Sequence, residues 1–252
     1  MLVLAGTKDA RELTAFLLQH NKKVSVSVVT EQAAQKYKSL NIPINIGRLT
    51  KEQMLEMVLA KKFKAIIDAT HPYAELVSKY AIEVAKEVKI PYLRYERPST
   101  VLNENQYLHF VSSYLEAIEW IREKKGVVFV TTGINKIDRF AKTLLGEPNI
   151  RLIFRILPTA ENLQKCESLG IPKENIIAMQ GTFSAGLNQA IYKEYGINLL
   201  ITKESGKEGG FLEKVESAIQ MGIETIVIQR PKLQYPIVFH HFEDLLKYLE
   251  KH

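Results

Sequence analysis

The chain has 252 residues, 46% hydrophobic and 25% charged, which excludes disorder of the whole chain and is long enough for one large α/β domain or two small ones. Its 34 Lys and Arg against 28 Asp and Glu leave a net charge of +6. That excess favours anionic ligands, but the basic residues are interleaved with acids and form no nucleic-acid-binding stripe. The single cysteine, Cys166, excludes a disulfide framework within the chain and a cysteine-built metal site. MLVLAGTKDAREL has no basic n-region, and no stretch approaches the ~18 to 20 apolar residues of a membrane span. The expectation is a soluble, cytoplasmic protein with no membrane association.

Short apolar runs alternate with helical periodicity along the chain, the pattern of βα units around a parallel sheet. Leu2 to Ala5 reads as a strand that stops at Gly6-Thr7, and Ala10, Leu13 and Leu17 then mark the apolar face of a helix. Further strands are expected at Val24 to Val29, Ile42 to Ile46, Ala65 to Ile67 and Tyr92 to Tyr95. Between them lie helices at Lys51 to Ala60 and Tyr73 to Val88. The polar stretch STVLNENQ then suits a linker.

A second series follows. Its strands are expected at Val127 to Val130, Arg151 to Ile156, Ile176 to Met179, Leu199 to Ile201 and Thr225 to Ile228. Its helices include Ala160 to Leu169, Ser184 to Tyr195 and Gly210 to Met221, and His241 to Glu250 is a terminal helix. The fold class is α/β, with two doubly wound parallel-sheet domains at 1–104 and 105–252, the second carrying the terminal helix and a ligand cleft lying between the two.

Polar, glycine-containing clusters fall at one strand end after another: Gly6-Thr7, Asp68 to Tyr73, Thr131-Thr132-Gly133, Gln180-Gly181 and Thr202 to Gly206. In open parallel sheets ligands bind outside the carboxyl ends of the strands, so this clustering is the main functional signal. Gly6-Thr7 opens a helix whose N–H groups and dipole suit a phosphate, although a lone glycine at such a turn also meets purely steric needs. In DATHPY, Pro72 suits the first turn of a helix capped by Thr70 or His71. Asp68, His71 and Tyr73 together exceed what a cap requires.

Lys203 either pairs with an anionic ligand or is a surface lysine held by Glu204. No metal-ligand spacing, P-loop or nucleophile elbow is present, and Cys166 reads as a core thiol.

The succession LVLAGTKDAREL, IIDATHPYA, PYLRYERP, FVTTG, AMQGTFS, LLITKESGKEGGFLEK and IVIQRP resembles the precorrin-6A reductases of corrin (vitamin B12) biosynthesis, from Leu2 to Pro231. The resemblance implies two Rossmann-like domains and an NADPH- or NADH-dependent oxidoreductase. Such an enzyme reduces a carbon-carbon double bond of precorrin-6A, or of its cobalt form, to give the 6B form. The implied partner is an anionic tetrapyrrole-derived macrocycle, and no protein-bound metal is implied.

Carried over by position, the implied cofactor contacts are Gly6, Thr7, Thr70, Thr132, Gly133, Gln180, Gly181, Lys203, Ser205 and Gly206, with His71 and Tyr73 also lining the cleft. His71, Tyr73 and Lys203 are chemically competent candidates for proton donor, with water or a substrate carboxyl group the alternative source, and Arg48 or Lys203 are candidate cations for an NADPH 2′-phosphate. Two positions depart from the family pattern: Ala5 stands where a second glycine is usual, and Thr182 where a proline is common. Two rival readings of the architecture are a nucleotide-binding regulator without catalysis and a nucleotide-sugar transferase.

Overall fold

The computed structural model describes residues 1–98, 105–204, 210–231 and 233–251. The chain folds as two units, Met1–Pro98 with Pro231–His252, and Ser99–Arg230. In the first unit β1 (Leu2–Leu4), α1 (Lys8–Gln19), β2 (Ser25–Val28), α2 (Glu31–Gln35), β3 (Ile44–Ile46), α3 (Lys51–Ala60), β4 (Ile66–Asp68), α4 (Glu75–Glu87) and β5 (Tyr92–Tyr95) alternate, with β12 (Val238–Phe239) and α10 (Phe242–Lys251) arriving from the end of the chain. Its sheet runs β12-β5-β4-β1-β2-β3, with every pair parallel.

Alternation along the strands sends side chains to two cores. Val3, Val26, Ile67 and Leu93 pack with Leu13 and Leu17 of α1 and Leu245 and Leu246 of α10, whereas Leu2, Leu4 and Ile66 pack with Met54 of α3 and Ala81 and Val84 of α4. Each fully buried aliphatic side chain contributes about 1.5–3 kcal/mol.

The second unit contains β6 (Leu108–Val111), α5 (Tyr114–Lys124), β7 (Gly126–Val130), α6 (Ile137–Leu144), β8 (Ile150–Ile156), α7 (Ala160–Ser168), β9 (Ile176–Ala178), α8 (Ala185–Glu194), β10 (Leu199–Lys203), α9 (Phe211–Gln220) and β11 (Glu224–Ile228). Its sheet runs β6-β11-β10-β7-β8-β9, again parallel throughout. Helices α5, α6 and α7 cover one face, where Cys166 is a buried core thiol, and α8 and α9 cover the other. Both sheets therefore have the doubly wound order in which the first strand of the series lies between the second and the fourth.

The sixth strand of each sheet comes from outside its own series, β12 from after it and β6 from before. Neither is among the strands expected from periodicity. The second domain, expected to extend over 105–252, ends at Arg230 and the terminal helix belongs to the first unit. Ladder bonds and apolar contact are the reason. Arg94 and Glu96 N–H groups donate to the Ile237 and Phe239 carbonyls at 2.8 and 3.0 Å, and Phe242 lies 4.8 Å from Tyr95 and 5.5 Å from Phe16 between ring centres.

Side-chain caps start many of the helices: Thr7, Thr50 in a capping box with Gln53, Ser113, Thr159 and Ser184. Each such cap is worth about 1 kcal/mol. Helix α4 departs from expectation. It starts at Glu75 behind Ala74 with no side-chain cap, because Thr70 is engaged elsewhere and His71 to Ala74 form a turn closed by a 2.8 Å bond from the Ala74 N–H to the His71 carbonyl. Among the described residues no helix is long and apolar enough to cross a membrane, and no group of three or more His, Cys, Asp or Glu is placed to hold a metal ion.

Candidate functional site

In the first sheet the order reverses between β1 and β4, so the turns that follow these two strands flank a ligand crevice. Gly6 follows β1 with φ of 143°, a conformation strained for any residue with a Cβ, and leaves the backbone bare at the start of α1. The Thr7 hydroxyl accepts from Ala10 N–H at 3.0 Å and donates to the Ala69 carbonyl at 3.1 Å. Thr7 is thus a helix cap that also ties the turn after β1 to the end of β4.

Beside this turn lies a pocket of about 200 Å³ lined by Gly6, Thr7, Lys8, Arg11, Lys36 and Tyr37. Tyr37 is only 2% exposed and its hydroxyl makes no hydrogen bond. Burial pushes that hydroxyl up to about 12 while nearby Arg11 opposes the shift. Three cations, a helix N-terminus and an unpartnered buried hydroxyl make a pocket for an oxyanion. Arg48 lines a different pocket, of about 370 Å³, after β3 with Asn45, Gly47 and Gln53.

The DATHPY cluster divides in two. Asp68 and Arg94, both 0% exposed, face each other in register on β4 and β5, with Arg94 Nη1 2.9 Å from Asp68 Oδ1. The same Oδ1 accepts from the Thr70 hydroxyl at 2.6 Å and the Thr70 N–H at 3.0 Å, while Oδ2 accepts from Ser78 and Tyr92 hydroxyls, each at 2.6 Å. Arg94 also donates to Glu96 at 2.8 and 3.1 Å and lies 5.0 Å above the Tyr235 ring of the returning segment.

With Asp68 and Arg94 each held by several partners, Asp68 and Thr70 serve as an anchor for the turn that follows. His71 and Tyr73 lie outside that network in the turn itself, with His71 Nδ1 accepting from the Tyr73 N–H at 3.3 Å.

In the second unit the order reverses between β7 and β10. After β7 the Thr132 hydroxyl is 2% exposed and unpartnered, and Gly133 follows with φ of 82°. After β9 come Gln180 and Gly181, both exposed. Lys203 ends β10 partly buried, its ammonium pKa held down first by burial and then by Lys136. Glu204, the next residue, pairs with Arg230 at 3.4 Å. Ser205 and Gly206 lie outside the described residues.

Two cations that the sequence reading passed over join this end of the sheet. Arg155, near the end of β8, donates to Asn188 Oδ1 of α8 at 3.0 Å and lies 5.2 Å and 4.3 Å from the Phe129 and Phe183 ring centres. Lys214, in the first turn of α9, is 4% exposed. Gly210, just before α9, has φ of 58°, and a Cβ there would stand 3.6 Å from the Phe183 nitrogen, so the turn after β9 lies against the start of that helix.

A family model described as precorrin-6x reductase CbiJ/CobK matches residues 1–250. The chain belongs to this reductase family. It is 44% identical over 246 residues to a cobalt-precorrin-6A reductase of Priestia megaterium, covering 98% of this chain and 96% of that one. A cobalt-precorrin-6A reductase of Methanococcus maripaludis is 35% identical, with 98% of each chain covered. The solved structure of CobK precorrin-6A reductase superimposes with a TM-score of 0.81 over 99% of this chain and 95% of that one, at 20% identity, which supports the two-sheet fold.

For this reductase, two of the residues that sequence patterns left out do carry a signal in the sequence. The Arg94 charge stands in the otherwise apolar or aromatic strand PYLRY and demands a buried acid, which the neighbouring strand IID supplies in register. Lys214 stands within the apolar period of α9, at a position that faces the sheet. Tyr37 left no signal, since an aromatic residue after a short helix reads as packing.

Proposed function

We propose that this protein reduces one carbon-carbon double bond of precorrin-6A, or of its cobalt form, using a nicotinamide dinucleotide, in cobalamin biosynthesis. The observation that carries this reading is the family match over residues 1–250. The nicotinamide supplies the hydride when it is bound. The protein's task is to place the reacting carbon against it and to exclude water. The residues suit such a cofactor: an oxyanion pocket adjoins Gly6, and an unpartnered buried hydroxyl at Thr132 adjoins Gly133.

The proposed cofactor contacts are Gly6 and Thr7, the latter through its backbone because its hydroxyl is engaged, in the first unit, and Thr132, Gly133, Gln180, Gly181 and Lys203 in the second. Ser205 and Gly206 join them by position in the sequence. Thr70 contributes as the anchored base of its turn. Arg11 and Lys36 are the proposed holders of an NADPH 2′-phosphate, in place of Arg48. His71, Tyr73 and Lys203 are assigned to positioning ligands, with the proton drawn from water or from a substrate carboxyl group.

The test is loss of reduced-nicotinamide absorbance with purified protein, with and without precorrin-6A or cobalt-precorrin-6A. Oxidation only when macrocycle is present is expected. Dinucleotide binding with no oxidation by any pairing would favour a nucleotide-binding regulator. Tyr73→Phe and His71→Ala are expected to keep kcat within a few-fold. Abolished turnover with unchanged affinities would make either residue the proton donor.

A further inference from the structure

Lys214 is placed where each local electrostatic effect opposes its charge. Its side chain is almost wholly removed from water, and Arg155 and Lys203 are the charges close enough to act on it. It also lies in the first turn of α9, where the helix dipole is positive and a cation is disfavoured. Among the described residues no carboxylate forms an ion pair with Lys214 or Arg155. Burial, followed by repulsion from Arg155 and then Lys203, brings the Lys214 ammonium down to about 7. Arg155 is likewise pushed down to about 10 by its burial.

Packing alone gives no reason for this arrangement, since a methionine would fill the same space without the desolvation cost. An anion supplied from outside would offset the mutual repulsion of these cations and give the buried ammonium a partner. Two features of the surroundings favour one. Asn188 and the Phe129 and Phe183 rings hold the Arg155 guanidinium in place, and Gly210 leaves the N–H groups at the start of α9 without a side-chain cap.

We propose that Arg155 and Lys214 form an oxyanion-binding site in the second unit that takes a carboxylate or phosphate group of a ligand, with Lys203 at its edge. The two sources of such a group are the macrocycle's carboxylates and the dinucleotide's phosphates. Naming them rests on the reduction proposed above, whereas the electrostatic argument does not.

The experiment compares wild type with Lys214→Met and Arg155→Lys. Calorimetry with inorganic pyrophosphate and citrate tests the site without reference to turnover, while the NADPH dissociation constant and the macrocycle KM identify the source. In Lys214→Met the ligand-free protein is expected to melt several degrees higher, and binding of at least one bare probe is expected to weaken tenfold or more. A parallel loss for NADPH identifies a phosphate, and one in macrocycle KM a carboxylate.

Should Lys214→Met fail to fold, Arg155→Lys keeps the charge, loses the guanidinium fork, and is expected to weaken the same probe. Unchanged probe binding in a folded variant overturns the site, whatever happens to the melting temperature. Absent wild-type turnover with Lys214-dependent probe binding would remove the reductase reading and leave the site standing.

Discussion

At the scale of single residues, the informative groups are those whose surroundings do not satisfy them. The Lys214 ammonium has a folded-state pKa of about 7, below the unfolded value of about 10.4. Between those values the unfolded chain binds a proton that the folded chain does not, so this lysine makes ligand-free stability rise with pH across that window and level off above it. Urea midpoints at about pH 7 and about pH 9.5 are expected to diverge between wild type and Lys214→Met, wild type gaining more at the higher pH; parallel midpoints would refute the shift. Tyr37 tells a similar story in the first unit, since a buried hydroxyl without a partner costs roughly 1–3 kcal/mol that a ligand can recover. Arg11→Gln is accordingly expected to raise the NADPH dissociation constant about tenfold and leave NADH nearly unchanged, the size of one charge-assisted contact of about 1.4 kcal/mol. Equal loss for both dinucleotides would move the 2′-phosphate elsewhere.

At the scale of elements, the β4 and β5 pair shows why a buried charge belongs to two strands rather than one. Arg94→Met leaves the Asp68 carboxylate without its cation and is expected to cost about 3–5 kcal/mol in urea unfolding. Replacing both residues, Asp68→Asn with Arg94→Met, is expected to cost less than the two single changes added together, and strict additivity would mean that the pair is not coupled. Many strands of the two five-strand series were legible because they are short apolar runs buried on both faces, as in β1, β10 and β11, and the ends that matter were legible as glycine and threonine clusters. Strands β6 and β12 were not: Leu108-His109-Phe110-Val111 is half polar or exposed, and Val238-Phe239 is only two residues long. Their pairing is decided by the open edge each meets, at β11 and β5, which lies far off in sequence. The start of α4 was misplaced for a related reason, because the Thr70 hydroxyl that local chemistry would use as a cap is claimed by Asp68.

At the scale of the molecule, the returning segment Pro231–His252 decides what counts as a domain. Local composition pointed to a boundary near the polar stretch after Pro98, and the first unit does leave its series there. Nothing local says that the chain comes back, since His241 to Glu250 reads as an amphipathic helix able to cover any sheet. Truncation after Arg230 removes Phe239, Phe242, Leu245 and Leu246 from the core of the first unit. At about 1.5–3 kcal/mol for each of the two well-buried leucines, with the partly buried rings adding to them, the loss reaches the lower part of the ~5–15 kcal/mol stability of a whole domain. The truncated protein is therefore expected to lose the cooperative unfolding of its first unit, and an unchanged melting curve would show that the segment is an accessory. There is a consequence during synthesis as well. At ~5–20 residues per second, the ribosome spends on the order of ten seconds making the second unit before the segment that completes the first one emerges. Throughout that interval the nascent first unit carries a bare β5 edge and lacks the cover that Phe242 gives Phe16 and Tyr95, an open apolar edge of the kind that invites wrong pairing.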